Sequence, residues 1–183
     1  IDIGGENAAG VLSISDAELD RITAGEIQIG SQTSGQATIT ADITNDTFTN
    51  IHVISGSSIS FTSGSFITAN GNLKLSPGSV ASVSVPKTGN DVILGDSGTL
   101  SFSDGSHLAI AINGAAVDAD YEQLNVVGLI DVTGVELVLS GSFDPAAGDE
   151  FVIVNNDGDD DVIGEFNGLA EGKIFFIESG ALA

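Results

Sequence analysis

The stretch GSSISFTS-GSFITAN-GNLKLSP-GSVASVSV, from Gly56 to Val85, decides the fold. Its glycines, Gly56, Gly64, Gly71 and Gly78, are spaced eight, seven and seven residues apart. Each unit is a short run of β-branched and other apolar residues between turn formers. Strands this short, cut by a glycine every seven or eight residues, do not make a hairpin sheet with long strands. They fit a solenoid in which the chain turns a corner after each strand and three strands close one coil. Three units sum to twenty-two residues, a reasonable coil length for a parallel β-helix. The alternative is an antiparallel β-sandwich built from the same seven-residue strands.

Working outward, the same pattern continues in both directions. I27-Q-I29, A37-T-I-T-A-D-I43 and I51-H-V-I54 precede the stretch. After a break at Pro86 and T88-G-N-D91, V92-I-L94, T99-L-S-F102 and H107-L-A-I-A-I112 follow. Gly128, Gly134 and Gly141 carry the beat onward from Tyr121. The expected organisation is a β-solenoid over residues 1–120 and a terminal solenoid section over 121–183, continuous with the first. About seven coils of twenty-two residues would form a rod of roughly 34 Å, at about 4.8 Å per strand layer.

One helix interrupts the strands. In S15-D-A-E-L-D-R-I-T-A24, Ser15 and Glu18 form a capping box, acidic residues occupy the positive end and Gly25 follows as a stop. The expectation is a helix over 15–24, with Leu19 and Ile22 facing inward, that shields one end of the solenoid.

Composition narrows the function. Hydrophobic residues make up 42% of the 183, enough for a core, so general disorder is not expected. Twenty-six acidic residues face four basic ones, Arg21, Lys74, Lys87 and Lys173, for a net charge of −22. Phosphate neutralisation needs a Lys/Arg surface that this chain does not have, so nucleic acid is not an expected partner. Anionic lipid headgroups are disfavoured for the same reason. No apolar run reaches the length of a membrane helix, no signal peptide is evident, and cysteine is absent. The chain starts at Ile1, which reads as a mature product or a piece of something longer.

Motifs of catalysis are scarce. No G-x-S-x-G, H-E-x-x-H or C-x-x-C occurs, and G168-L-A-E-G-K-I174 has Ile where a P-loop needs Ser or Thr to hold magnesium. His52 and His107 each lie in a strand-like run, where a locally hydrogen-bonded side chain is the expected role. T38-I-T40 and T47-F-T49 are read as ordinary strand threonines. A glycosidase needs two carboxylates at a defined separation and aromatic platforms; the chain has no Trp and one Tyr. A lyase of acidic sugars needs basic residues. The expectation is therefore no enzyme. The best chemical candidate is the acidic loop Asp157, Asp159, Asp160 and Asp161, with Glu165 close by, as a calcium site with oxygen ligands. Its spacing is not that of an EF-hand, and a solvated acidic loop is the competing reading. Asp118, Asp120 and Glu122 form a second, weaker cluster.

The series S13-I-S-D-A-E-L-D-R-I-T-A-G25 with I27-Q-I-G30 resembles stretches of large bacterial surface proteins of the filamentous haemagglutinin type. Y121-E-Q-L-N-V, F143-D-P-A-A-G-D-E-F-V-I and G164-E-F-N-G-L-A-E-G172 resemble autotransporter-passenger adhesins. The resemblance implies a right-handed parallel β-helix exported to the cell surface. It also implies a stalk or adhesive role, with partners among extracellular glycans, proteins or copies of the chain itself. It carries no catalytic residues.

Overall fold

The computed structural model describes residues 1–5, 9–45, 50–62, 66–68, 71–79, 81–85, 91–95, 97–156, 160–170 and 172–173. It is a parallel β-solenoid. After β1 (Asp2–Ile3), β2 (Ser13–Ile14) and α1 (Asp16–Leu19), the chain circles through three faces in a fixed order. The first coil is β3 (Glu26–Gly30), β4 (Ala37–Ile39) and β5 (Ile43–Asn45), and the second is β6 (Asn50–Ile54), β7 (Ile59–Phe61) and β8 (Phe66–Thr68). The third is β9 (Asn72–Ser76), β10 (Ser82–Ser84) and β11 (Val92–Leu94). The fourth is β12 (Thr99–Phe102), β13 (His107–Ala111) and β14 (Leu124–Val127). The fifth is β15 (Leu129–Asp131), β16 (Glu136–Ser140) and β17 (Val154–Asn156), and β18 (Val162–Ile163) opens a sixth.

Face one stacks β3, β6, β9, β12, β15 and β18; face two runs β2, β1, β4, β7, β10, β13, β16; face three stacks β5, β8, β11, β14 and β17. Every ladder between these strands is parallel, which removes the antiparallel sandwich. Pairing also crosses residue 120 without interruption, since β12 pairs with β15 and β13 with β16.

Alternation along each strand sends every second residue inward, and the parallel register stacks those residues in columns. On face one Ile27, Ile51, Leu73, Leu100 and Ile130 stand in one column. Ile29, Val53, Leu75 and Phe102 form the next. All nine are buried. Burying an aliphatic side chain of this size contributes about 1.5–3 kcal/mol. The repeated β-branched and leucine positions therefore hold the coils together. Corners are closed by serine and glycine. Ser55 is fully buried, its hydroxyl donating to the Gly35 carbonyl at 2.8 Å and accepting the Ser57 amide at 3.0 Å. Gly78 packs directly over the Gly56 carbonyl of the coil below, where a Cβ has no room. That contact accounts for the recurrence of glycine one coil later, from Gly56 to Gly78.

The uniform twenty-two-residue coil does not hold. Along face one Ile27, Ile51, Leu73, Leu100, Ile130 and Val162 occupy successive layers, so the coil shortens from 24 to 22 residues and then lengthens to 27, 30 and 32. The described chain consequently makes five three-strand coils rather than seven. Growth is greatest at the corner between faces two and three. It takes residues 40–42 in the first coil, but 112–123 and 141–153 in the last two. These two long segments brace one another. Tyr121 meets the edge of Phe151 at 5.2 Å between ring centroids, and Phe143 meets Phe151 at 6.0 Å. The Asn113 Oδ1 accepts from the amide and hydroxyl of Ser142, both at 3.2 Å.

The helix is shorter than its sequence suggests, covering Asp16–Leu19 rather than 15–24. The Ser15 amide and hydroxyl both donate to the Glu18 carboxylate, at 3.0 and 2.9 Å, which lowers the Glu18 pKa. Leu19 is buried, but Ile22 lies outside the helix and is partly exposed. A single turn suffices because its task is local. The Asp16 carboxylate accepts the Thr44 amide at 2.8 Å and its hydroxyl at 3.2 Å, satisfying the outer edge of β5. The shielding thus reaches face three.

Candidate functional site

The outer side of face one carries the main candidate surface, an open groove of about 410 Å³. Two columns of outward side chains build it. The first runs Glu26, Asn50, Asn72, Thr99, and the second runs His52, Lys74, Ser101, Asp131. Strand alternation sets the separation within a coil, and the strand spacing of about 4.8 Å sets it between coils.

Much of the first column is structural. The Asn50 side-chain amide donates to the Gly25 carbonyl at 3.1 Å, and its Oδ1 accepts the Asn72 amide at 3.1 Å. The Asn72 Oδ1 accepts the Thr99 amide at 3.0 Å in turn. This ladder satisfies the amides at the start of each strand. In the second column, His52 Nε2 lies 2.8 Å from the Ser76 hydroxyl and Nδ1 lies 3.9 Å from Glu26. Partial burial and the adjacent Lys74 hold the His52 imidazole below its usual pKa, against the opposing pull of Glu26. It is therefore neutral at pH 7.

Lys74 stands at the centre of the groove, with no carboxylate within salt-bridge distance among the described residues. In a chain of charge −22, an unpaired ammonium flanked by Ser101 and Thr99 hydroxyls supplies donors for an incoming polar ligand. The groove's carboxylates do not act together. Glu26 and Asp131 stand four strand layers apart, about 19 Å at the strand spacing, while paired glycosidase carboxylates need about 5–9.5 Å.

The remaining candidates separate on the structure. Asp157 and Asp159 lie outside the described residues. Asp161 and Glu165 are exposed, and the Asp160 carbonyl accepts the Asn156 side-chain amide at 2.9 Å. No group of three His, Cys, Asp or Glu among the described residues is arranged to hold a metal ion, so the calcium proposal gains no geometry from Asp160 and Asp161. Of the second cluster, Asp120 accepts the Ala116 amide at 3.1 Å and serves its own loop. Asp118 stands at φ +65°. Thr47 and Thr49 also lie outside the described residues.

Two features escaped the sequence reading. On face two, Ser82, His107 and Glu136 fall in register on adjacent strands, with His107 Nε2 3.1 Å from Glu136. The order is that of a nucleophile, base and acid, but no hydrogen bond joins Ser82 to His107. The column is a polar ladder reinforced by Asn167, whose side chain donates to Glu136 at 3.4 Å. Only the coil spacing, which the sequence leaves irregular here, would have aligned these three. The second feature is Asp91, a carboxylate enclosed at the start of β11. Its polarity placed it in a loop.

Comparisons with protein-family models, with curated proteins and with solved structures find no match. Among the described residues no helix is long and apolar enough to cross a membrane.

Proposed function

We propose that the chain is a non-enzymatic structural and adhesive module of an exported bacterial surface protein, contacting glycans through the outer groove of face one. The observation that carries this reading is the groove itself. Five successive coils line up hydrogen-bonding side chains around one unpaired cation, an arrangement suited to an extended, hydroxyl-rich ligand. The acidic net charge favours neutral glycans over polyanionic ones, which it repels at long range. A carbohydrate-active enzyme on the same scaffold is the rival.

Binding of the chain to an array of neutral oligosaccharides, followed by calorimetry on the best ligand, tests the reading. The double variant Lys74→Ala/Ser101→Ala is expected to weaken that affinity at least about tenfold. Binding that the double variant leaves intact overturns the groove, and cleaved product in the mixture favours the enzyme.

Self-assembly is supported by a separate observation. Most large exposed apolar side chains belong to the first or last described parts of the chain: Val11, Leu12 and Ile22 to the first, Val138, Val152, Val162 and Ile163 to the last, with Val117 between them. Parallel stacking of one copy's β18 layer against another's β3 layer would bury these surfaces and extend face one. Filaments in electron micrographs at high salt, where repulsion between acidic copies is screened, are the expected result. A strictly monomeric chain under those conditions removes this mode.

A further inference from the structure

Asn113 lies at the start of the long corner between β13 and β14, and Gly114 follows it. An asparagine before glycine is open to attack on its side-chain carbonyl by the next main-chain nitrogen, since glycine puts no Cβ in the way. The same pair recurs at Asn167–Gly168, and at Asn70–Gly71, where Asn70 lies outside the described residues.

The two described sites differ in what holds the side-chain oxygen. At Asn113, Oδ1 accepts both the amide and the hydroxyl of Ser142, each at 3.2 Å. The main chain fixes both donors. The Phe143 amide donates to the Ile112 carbonyl at 3.3 Å and the Ile112 amide to the Ser140 carbonyl at 2.7 Å, which pins Ser142 beside Asn113. On its other side, the Asn113 amide donates to the Asp120 carbonyl at 2.9 Å and the Ala116 amide to the Asp120 carboxylate at 3.1 Å, so the turn 113–120 is closed. Gly114 packs against that carboxylate, where a Cβ has no room. Asn113 is exposed, so water reaches it. The Asn167 side chain instead donates to Glu136 at 3.4 Å, and no described residue donates to its Oδ1. As a brace between the two corner segments, an aspartate at 113 would accept the same two donors. What the amide adds is an electrophile.

We propose that Asn113–Gly114 is a self-modifying site, at which the Gly114 nitrogen closes on the Asn113 side chain to form a cyclic imide while Ser142 holds the oxygen. The bond from the Gly114 nitrogen to Cγ forms and the Cγ–Nδ2 bond breaks. Ammonia leaves, taking up the proton that the Gly114 amide gives up. Negative charge develops on Oδ1 as the nitrogen adds, and two fixed donors already aimed at that atom stabilise it. The closed turn keeps the reacting groups together. Water then opens the imide at one carbonyl or the other. One opening gives aspartate, which keeps both Ser142 donors. The other gives isoaspartate, in which the carbonyl held by Ser142 becomes part of the main chain. Either product places a new carboxylate at the joint between the two long corner segments.

Peptide mass spectrometry on the full chain, kept at neutral pH either folded or in denaturant, tests this. In the folded chain, conversion at Asn113 is expected at least about tenfold faster than at Asn167. In denaturant both pairs keep only their local sequence, and the ratio should fall to about one. Equal rates in the folded chain, or a ratio that denaturant leaves unchanged, overturn the proposal. Ser142→Ala keeps the amide donor and loses the hydroxyl; it is expected to slow Asn113 at least about threefold and leave Asn167 unaffected. Ser142→Thr should restore the rate, and an unchanged rate in Ser142→Ala overturns the site. The comparison of folded and unfolded parent chain decides independently of how the variants fold.

Discussion

The coils built by β3 to β10 and those built by β12 to β17 share one architecture and differ in how they are closed. In the first group the register advances 22 to 24 residues per coil, corners are serine and glycine, and inward columns are sealed on all sides. In the second, the register advances by about thirty residues, the extra length lies in two corner segments, and an aromatic cluster takes over the work of the short corner. The inward residues of β16, Leu137 and Leu139, are only half-buried. Backbone pairing alone therefore does not define a sealed core. Coverage by the next layer does, and it weakens toward the last described coil.

The largest expected effect tests that gradient directly. Leu73→Ala empties a fully enclosed position in β9 and should cost about 2–5 kcal/mol in denaturant unfolding. Leu139→Ala, in the half-buried column of β16, should cost about 1 kcal/mol. Equal losses would erase the distinction between the two groups of coils.

Next in size is the pH dependence of Asp91. Its folded-state pKa is raised to about 7 from an ordinary 3.8. The folded chain thus binds the proton more tightly, so this contribution is fully present below about pH 4 and is lost as pH rises through 7. Asp91→Asn removes that loss. At pH 8 it should stabilise the chain by about 2–4 kcal/mol. The gain should shrink toward pH 4. Thermal melts across that range read both features.

A smaller loss is expected from Asn72→Ala, which leaves the Thr99 amide without its acceptor and breaks the ladder between the compact third coil and the longer fourth. About 1 kcal/mol is expected. If instead the variant matches the parent, the first column of the groove is free to serve a ligand and its structural role falls away. Smallest of all, Lys74→Ala should leave stability nearly unchanged and raise the His52 pKa, because the lowering by Lys74 is removed and only partial burial still opposes Glu26. Imidazole proton shifts followed by NMR check the direction.

How legible was all this in the amino-acid order? The strands were, and for a local reason. V92-I-L94 and T99-L-S-F102 are strands with the expected bounds, since short alternating runs between turn formers admit little else. Gly56 and Gly78 signalled a corner because close approach of one coil to the next excludes a Cβ. The helix was half-legible. Ser15 and Glu18 do form the capping pair, but nothing local announces that the helix stops at the buried Leu19, its first residue Asp16 already holding Thr44.

The groove and the burial of Asp91 were not legible, because each joins residues many positions apart whose register depends on corner length. His52, Lys74 and Ser101 stand in line only when coils of 22 and 27 residues are both known. Asp91 reads as a polar loop residue until the fold encloses it beside Asn125. The sequence by itself determined short strands between tight corners and favoured a solenoid over a sandwich, since alternation and turn chemistry are properties of neighbouring residues; the parallel ladders decided between the two. The tertiary structure alone decided where the coils widen, which outward side chains share a surface and which carboxylate loses its water, since register and burial belong to the stacked coils as a whole.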